Sequence, residues 1–517
     1  MRVTAFRGAA GYMLALIIVV ATWAVGMPRF ASPDEPAHVY KAYGTAHGQL
    51  LGDPAPGFPD NLREFDGPDS LGPPNLNCFV QQPDVPASCA TEVSPRLISS
   101  AARYPPWYYG LVGAPVAISG QSASVRAYRL VSSAFCAALL TLAMLLAKRS
   151  PRRDLAPLQL VVLTPMALFL MASVNPNAME VAALVAVWAC LTRVVSDDEI
   201  QIRWWILASI LAAVVVLIRP ISIVWLVCIV AVVLIGTSPA RLRQLFTRRM
   251  LAWAILPTLL AAVASVLWNA YSQFEVSDDR VQTPFTLAGA LRKSIDNWPI
   301  YFKQTIGVLG WLDTTLPFFV YVALIIAVAI VVLIHLRSAS ARGVVALAAL
   351  VVAWLALPLL INGFTNTRAG LSFQGRYALG LFAGLAFLPM WNRRGPIRWP
   401  RLSQQWLVES ALVLVVVGEV GAFWQMLRRF AVGQDGKVLL TGNLSWQPSV
   451  TPMLLIALNA VAMIALGMCA LLSWDQAGAL VEDQPSERSG RSKLQPVNGT
   501  VTARSMARAD AARPAEG

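Results

Sequence analysis

Long apolar blocks, separated by short polar or basic stretches, run along almost the whole chain of 517 residues. The blocks are roughly 16 to 22 residues long, close to the ~20 residues that an α-helix needs to cross the hydrocarbon core of a bilayer. The pattern predicts an all-α integral membrane protein with about 12 transmembrane helices. This count is good to about one or two helices, because short apolar runs fit more than one kind of structure.

The block 204–236 is too long for one helix, and basic residues lie near both of its ends. We therefore divide it into two short spans at Arg219-Pro220. The expected spans, in chain order, are 11–28, 126–147, 157–174, 178–195, the two halves of 204–236, 251–270, 314–335, 343–361, 376–391, 406–426 and 452–473.

The basic residues predict the orientation of these spans. Clusters of Lys and Arg lie at 148–153, 241–249 and 393–401, and all three fall on one side if the N-terminus is cytoplasmic. Residues 1–473 then form the transmembrane domain, with large outer segments at 29–125 and 271–313. Residues 474–517 have no apolar period and predict a disordered cytoplasmic tail. Both termini are expected on the cytoplasmic side of the cell membrane.

Composition narrows the possible functions. Hydrophobic residues make up 56% of the chain and charged residues 13%, far from the usage of a soluble domain. The net charge of +13 is explained by the inner loops, so no nucleic-acid partner is implied. No Walker A loop and no Rossmann fingerprint occurs, which argues against an ATP-driven pump. With three histidines and no His or Cys pair at ligand spacing, no zinc site is expected.

Cysteines indicate one possible cross-link. Cys78 and Cys89 lie in a polar part of the first outer segment, where a disulfide can persist, and we expect either a bridge between them or two free thiols. The other four cysteines lie in apolar blocks and behave as small hydrophobic residues.

The sharpest motif lies just after the first span. Ser32, a following proline and Glu35 fit a capping box that begins a helix over 33–47. This cap leaves Asp34 and His38 unexplained. They are four residues apart and share one helix face, at a membrane surface where a carboxylate can act as a base.

The motif Asp34-Glu35-Pro36-Ala37-His38 resembles the hallmark of a family of predicted bacterial membrane proteins of unknown function. Four further segments fit the same family and extend the resemblance to the tenth span. They are Tyr104-Pro105-Pro106, Ser173-Val174-Asn175-Pro176-Asn177-Ala178-Met179-Glu180, Gly310-Trp311-Leu312-Asp313-Thr314 and Gln374-Gly375-Arg376-Tyr377. That family is grouped with the GT-C glycosyltransferases, which are polytopic and take sugars from polyprenyl-phosphate carriers.

The resemblance implies a function and a catalytic position. In GT-C enzymes the catalytic acid lies in the first outer loop, soon after the first span, and Asp34 matches this place with Glu35 beside it. The implied reaction moves a sugar from a polyprenyl-phosphate donor to a cell-envelope glycan, glycolipid or protein on the outer face. The DxD form of some relatives is absent, so a divalent cation is possible but not implied.

Such a reaction needs cations near the departing phosphate, and Arg219 and Arg376 are the candidates. Arg219 could instead snorkel outward at a hairpin tip, and Arg376 could be an interfacial anchor beside Tyr377. The neighbouring Gln374 favours a polar, phosphate-binding site at Arg376 over an interfacial anchor. The substrate-binding candidates are His38, Glu180, Arg219, Asp313, Gln374, Arg376 and Tyr377.

A simple structural role explains the residues next to one of these candidates and competes directly with another. Asn175 and Pro176 make a good helix start, which leaves Glu180 unexplained at the entrance of an apolar block. Asp313 could be only the cap of the eighth span. The alternative functions are a transporter or flippase of lipid-linked sugars, which needs ionisable residues along a path through the bilayer, and a non-catalytic envelope assembly protein.

Overall fold

The computed structural model describes residues 2–59, 61–91, 93–197, 199, 201–275, 286–366, 371–391 and 401–472. All of these residues belong to one compact unit. The predicted tail, 474–517, lies outside the described residues.

The described residues are mainly helical. The helices are α1 Arg2–Gly26, α2 Glu35–Ala46, α3 Pro106–Ile118, α4 Val125–Lys148, α5 Pro165–Met171, α6 Pro176–Ser196, α7 Ile202–Ile218, α8 Ser222–Gly236, α9 Pro239–Leu245, α10 Arg248–Glu275, α11 Leu287–Asp296, α12 Trp298–Ile306, α13 Phe318–Ser338, α14 Ala341–Thr365, α15 Leu379–Phe382, α16 Gly384–Phe387, α17 Arg401–Val432 and α18 Pro452–Leu471. The strands are β1 Asp53–Pro54, β2 Arg63–Phe65, β3 Leu97–Ser99, β4 Val308–Leu309 and β5 Thr314–Thr315.

The prediction of an all-α polytopic membrane protein is confirmed. In the described part of the chain, eight helices are long and apolar enough to cross a membrane, each at a predicted span. They are α1, α4, α6, α10, α13, α14, α17 and α18.

The other four predicted spans are shorter or broken. Two short apolar helices, α7 and α8, are separated at Arg219-Pro220, where the sequence predicts a break. The tenth span consists of short helical turns over Gly375–Met390 rather than one regular helix. The count of twelve therefore stays a prediction.

The sequence predicts one continuous helix for the third span, but the structure has two helical segments there. A 3₁₀ segment, Arg153–Val162, and α5 meet at an angle of 76°. The break falls at Thr164-Pro165, where the residue before the proline is extended, with ψ 160°. Proline disfavours the helical conformation of the preceding residue, which ends one helix and starts the next. The Thr164 hydroxyl then caps α5 by accepting from the Ala167 amide.

The helix α6 is the most enclosed of the eight candidate spans, and α10 is the most exposed. On one side α6 packs against α4, which also contacts α1, and on the other against α7, which contacts α10. Because the N-terminus of α6 lies close to the start of α2 (the Val174 amide donates to the Glu35 carboxylate), this central helix begins at the candidate site.

The first outer segment surrounds the start of α2. Helix α2 packs on α3, and β1, β2 and β3 form a small antiparallel sheet in that order. Cys78 and Cys89 form a disulfide, with their Cα atoms 6.0 Å apart. The region 53–95 is dense in Pro, Gly, Asp and Asn, a composition that predicts an irregular loop. It contains two short strands and several 3₁₀ turns.

For the second outer segment the sequence predicts one helix around 286–309, whereas the structure has two. Two helices, α11 and α12, meet at Asn297, and Pro299 stands in the first turn of α12. Proline has no N–H and cannot continue the hydrogen bonding of α11. The hairpin of β4 and β5 follows and carries Asp313 between its strands. We call the side of the bundle on which α1 ends and α2 begins the Asp34 side.

Candidate functional site

The start of α2 does not have the predicted capping box. The helix begins at Glu35 instead of residue 33, its N-cap is Asp34, and no side chain caps it. Among the described residues, the Ser32 hydroxyl is buried without a hydrogen-bond partner. Asp34 has a left-handed backbone, with φ 63°. Aspartate tolerates this conformation better than most residues, yet it still carries strain.

The capping box does not form because Glu35 belongs to a buried ion pair with a residue far away in the sequence, which no local sequence pattern indicates. The Glu35 carboxylate is fully buried and accepts from Arg129 Nε and Nη2, both at 2.7 Å. It also accepts from the Val174 amide at 3.1 Å. Because these three donors occupy Glu35, it does not turn back to cap its own helix. Glu35, predicted to be catalytic beside Asp34, therefore faces the protein interior.

Sequence reasoning missed Arg129. Its guanidinium also donates to the carbonyl oxygens of Ala24, Met27 and Pro28, and so caps the C-terminal end of α1. A signal was present, since an arginine in the second turn of an apolar span is costly unless it is paired.

Asp34 does not join this pair and instead contacts a residue that is distant in the sequence. Its Oδ2 lies 3.1 Å from Arg376 Nη2, although the two residues are 342 positions apart. The Asp34 side chain is 51% exposed, whereas the Arg376 side chain is 3% exposed. Among the described residues, Arg376 Nε and Nη1 are buried and have no hydrogen-bond partner. The ion pair thus leaves donors of a buried cation unused beside an accessible carboxylate.

Arg376 is positioned by a tight turn at Gly375. A Cβ atom on Gly375 would lie 2.0 Å from the Tyr301 carbonyl oxygen, so only glycine allows this approach to α12. The Gly375 amide donates to Gln304 Oε1 at 2.8 Å, and its carbonyl accepts from the Thr305 hydroxyl at 3.0 Å. Gln374, just before the turn, has its buried Oε1 unpartnered among the described residues.

Tyr377 connects Arg376 to the second candidate cation. The Arg376 guanidinium lies 5.5 Å from the centre of the Tyr377 ring, and the Arg219 guanidinium lies 4.9 Å from it. Both distances are within the range of cation–π contacts. Arg219 Nη1 also donates to Glu180 Oε2 at 2.8 Å. Arg219 therefore pairs inside the protein and does not simply snorkel outward.

Glu180 is held by four donors. Besides Arg219, Asn177 Nδ2 donates at 2.9 Å, Trp225 Nε1 donates at 2.8 Å, and the Ser222 hydroxyl donates as well. As predicted, Asn175 caps α6, its side chain accepting from the Asn177 amide. Glu180 is fully buried, so its contribution is to hold Arg219 in place.

His38 lies one turn after Asp34 and is buried. Its Nδ1 is 2.9 Å from the Tyr109 hydroxyl, and its ring packs edge-on to Tyr104 with centroids 5.6 Å apart. Burial lowers the pKa of His38 to about 4; Asp34 opposes this shift, and Arg376 and Arg219 add to it. His38 is therefore neutral at physiological pH.

We predict that His38 makes the protein less stable in mild acid. Unfolded chains protonate histidine near pH 6.5, while the folded protein resists until about pH 4. Between these values the unfolded state binds more protons, so the free energy of unfolding should fall as pH falls and level off below about pH 4. Thermal unfolding of purified protein between pH 7 and pH 4 measures this.

His38→Gln should flatten the pH dependence, and His47→Gln, which changes an exposed histidine just after the end of the same helix, should leave it unchanged. An equal pH dependence in wild type and His38→Gln would contradict the assignment.

Asp313 belongs to a different cluster and is not the cap of the eighth span, since α13 begins at Phe318. Its Oδ2 lies 3.3 Å from Arg429 Nη2 and accepts from the Gln81 amide at 3.1 Å. Arg429 also donates to the carbonyl oxygens of Phe79 and Val85, within the disulfide loop. Asp313 thus fastens the 78–89 loop to the bundle.

Asp34, His38, Glu180, Arg219, Arg376 and Tyr377 form what we call the Asp34 cluster. Asp34 and Glu35 do not form a chelating pair, because their carboxylates have different partners. Within the described ranges, no group of three or more His, Cys, Asp or Glu residues is placed to hold a metal ion.

Solved structures that resemble this fold do so remotely. ArnT from Cupriavidus metallidurans in the apo state has a TM-score of 0.42 at 12% identity, covering 89% of this chain and 76% of its own. The same protein bound to undecaprenyl phosphate has a TM-score of 0.41 at 13% identity, with the same coverage. The apo oligosaccharyltransferase of Archaeoglobus fulgidus has a TM-score of 0.29 at 14% identity, covering 89% of this chain and 56% of its own. Such scores carry no argument about the site.

No curated protein matches the chain. A family model described as "Predicted membrane protein (DUF2142)" matches residues 16–385, well over half of the sequence. This range includes every residue of the Asp34 cluster. The chain therefore belongs to the DUF2142 family of predicted membrane proteins.

Proposed function

We propose that the protein is a GT-C-type membrane glycosyltransferase. It moves a sugar from a polyprenyl-phosphate donor to a cell-envelope glycan or glycolipid on the outer face, with Asp34 as the base. The observation that carries the proposal is the contact between an accessible carboxylate, Asp34, and a buried arginine with unused donors, Arg376. The motifs shared with the family direct it toward sugar transfer.

The chemistry requires one bond to form and one to break. The acceptor hydroxyl oxygen attacks the anomeric carbon of the donor sugar, and the bond between that carbon and the phosphate oxygen breaks. The bonding electron pair leaves with the phosphate, and the hydroxyl proton passes to Asp34. Only Oδ2 of Asp34 contacts Arg376, so Oδ1 is available to the acceptor.

Arg376 is suited to the departing phosphate. Charge-assisted hydrogen bonds between guanidinium and phosphate are about twice as strong as neutral ones, and a buried site strengthens them further. The unpartnered Nε and Nη1 atoms are the donors that such a phosphate would satisfy. In this proposal the phosphate also draws Arg376 away from Asp34, which makes the carboxylate a better base.

Arg219 has a secondary role in the proposal. Its charge is balanced by Glu180 at 2.8 Å, so it adds little net attraction. Its guanidinium lies 4.9 Å from the centre of the Tyr377 ring, and this contact helps to fix the ring that Arg376 also contacts. Glu180 and Arg219 are positioning residues here, and Glu35 positions Asp34 through its pair with Arg129.

We predict that Arg376→Gln lowers transfer by about 10- to 100-fold, the worth of one charged hydrogen bond. The measurement uses membranes supplied with radiolabelled polyprenyl-phosphate hexoses and follows label in the acceptor fraction. Folding should be little affected, because Asp34 is half exposed and water can solvate it once the arginine is gone.

Arg292→Gln serves as the control, because Arg292 is an exposed arginine on α11 outside the Asp34 cluster. If the well-folded Arg376→Gln variant transferred sugar as fast as wild type, Arg376 would not be the residue that binds the phosphate. If neither Arg376 nor Asp34 matters for transfer or for any accumulated envelope product, the non-catalytic assembly function would replace the proposal.

One observation favours the transporter alternative. Glu419 is fully buried in the candidate span α17, and both carboxylate oxygens lack a hydrogen-bond partner among the described residues. Intramembrane carboxyls are often part of ion or substrate paths. Uptake or scrambling of a lipid-linked sugar by vesicles, abolished by Glu419→Gln and independent of any acceptor, would establish that function instead.

A further inference from the structure

A polar cavity of about 490 Å³ opens on the Asp34 side, between the end of α1, the start of α4 and the loop before α18. None of the Asp34 cluster residues lines it. Its charged lining residues are Arg29, Arg126 and Arg129, and no Asp or Glu is among the described residues that line it. The positive charge of this lining favours the binding of an anion.

Two of the three positive charges are not balanced. Arg129 pairs with Glu35 at 2.7 Å. Arg29 donates to the carbonyl oxygens of Ser70 and Gly72, at 2.9 and 3.0 Å, and these carry no formal charge. Arg126 is exposed and has no hydrogen bond or ion pair with any residue that the structure describes. Among the described residues, the cavity therefore has two guanidinium charges, those of Arg29 and Arg126, without a carboxylate counterion.

The cavity lies where the membrane surface must be. The candidate spans Arg7–Gly26 and Val125–Lys148 end and begin among its lining residues. The span Pro452–Leu471 begins three positions after Ser449, which also lines it. Helices that cross the bilayer emerge from hydrocarbon near their ends, so the cavity is level with the phospholipid headgroups.

An exposed apolar side chain lies deeper on the same helix as Arg126. Leu130 lies four residues after Arg126 and so shares its face of α4 one turn deeper. Its side chain is 40% exposed. A phospholipid has an anionic phosphate that would contact the arginine and apolar acyl chains that would contact the exposed leucine. A soluble anion would contact only the arginine.

We propose that this cavity binds the phosphate of an anionic phospholipid from the leaflet on the Asp34 side. Arg126 and Arg29 contact the phosphate, and the acyl chains lie along the Leu130 face of α4. The site is separate from the proposed sugar transfer and does not depend on it.

The test measures phosphatidylglycerol binding to the purified full chain by native mass spectrometry, with phosphatidylcholine for comparison. Arg126→Gln should weaken phosphatidylglycerol binding about fivefold, the typical effect of one basic residue at a membrane surface. Ala123→Phe keeps both arginines and fills the cavity, since Ala123 is exposed and lines it; it should weaken binding at least as much. Arg292→Gln, outside the cavity, should not.

Equal losses from Arg126→Gln and Arg292→Gln would show diffuse surface charge and overturn the site. Unchanged binding in Ala123→Phe would do the same. Displacement of the lipid by millimolar inorganic phosphate would overturn the assignment to a lipid, because it would show that the phosphate alone suffices. Resistance to phosphate together with the two cavity effects supports the proposal.

Discussion

Asp34→Asn is expected to lower sugar transfer by about 10²- to 10⁴-fold, the usual contribution of a general base. The reason is that an amide cannot accept the hydroxyl proton at the pH of the reaction, while it keeps the size and shape of the carboxylate. This is the largest effect that the proposed function predicts.

Asparagine is the right replacement for structural reasons. Asp34 has φ 63°, and asparagine is among the few residues that adopt the left-handed conformation readily. Its side-chain oxygen can still accept from Arg376 Nη2, which lies 3.1 Å from Asp34 Oδ2. Asp34→Ala would lose both features and confuse a catalytic effect with a conformational one.

The measurement is the initial rate of transfer from polyprenyl-phosphate hexoses, at matched amounts of folded protein. The affinity for the donor should change much less than the rate, because Arg376 remains. Asp69→Asn provides the control, since Asp69 is an exposed carboxylate in the same outer segment. A rate for Asp34→Asn within about twofold of wild type would refute Asp34 as the base, whose loss costs ~10²-fold or more.

The second large effect concerns stability. Glu35→Gln should lower the free energy of unfolding by about 3–5 kcal/mol, because it leaves the buried charge of Arg129 without a counterion. The two side chains are 0% and 3% exposed, so water cannot take over the lost interaction. Thermal or denaturant unfolding of the purified variant measures the change.

The pair of Arg96 and Glu64 is a matched control. It has the same bidentate Arg–Glu chemistry, and Glu64 lies in the same outer segment as Glu35, but the side chains of this pair are 37% and 27% exposed. Glu64→Gln should therefore lower the free energy of unfolding far less than Glu35→Gln does, because water solvates both partners of the exposed pair. If Glu64→Gln and Glu35→Gln lowered the free energy of unfolding by similar amounts, burial would not explain the contribution of the Glu35–Arg129 pair to stability.

Arg129→Gln should be at least as damaging as Glu35→Gln. It removes the donor to three carbonyl oxygens at the end of α1, as well as the counterion of Glu35. A double-mutant cycle with Glu35→Gln separates these contributions. The interaction energy of the pair is the difference between the effect of the double mutant and the sum of the effects of the two single mutants. Because Glu35 adjoins Asp34, both variants should also lower transfer.

Local features of the fold could be predicted well from the sequence. Apolar length identified the eight long candidate spans, because crossing hydrocarbon requires a fixed helix length. The break at Arg219-Pro220 and the cap at Asn175 were also predictable, since proline and capping residues act on their immediate neighbours.

Long-range partners were not predictable in this way. The sequence favoured a capping box at Ser32, but Arg129, 94 positions after Glu35, takes the Glu35 carboxylate. The sequence favours a helix cap or a ligand role for Asp313, but in the structure its carboxylate pairs with Arg429, 116 positions later. In both cases a partner from a distant helix outcompetes the local hydrogen bond, because two buried opposite charges attract more strongly than a carboxylate and an amide.

The sequence by itself determined a polytopic helical scaffold, the family, and a short set of polar residues on one side. Only the tertiary structure decided which of these residues meet. It joined Asp34 to Arg376 across 342 positions and turned the adjacent Glu35 the other way. The physical reason is that burying a charge is costly unless it is paired, so packing of the helices, rather than order along the chain, selects the partners.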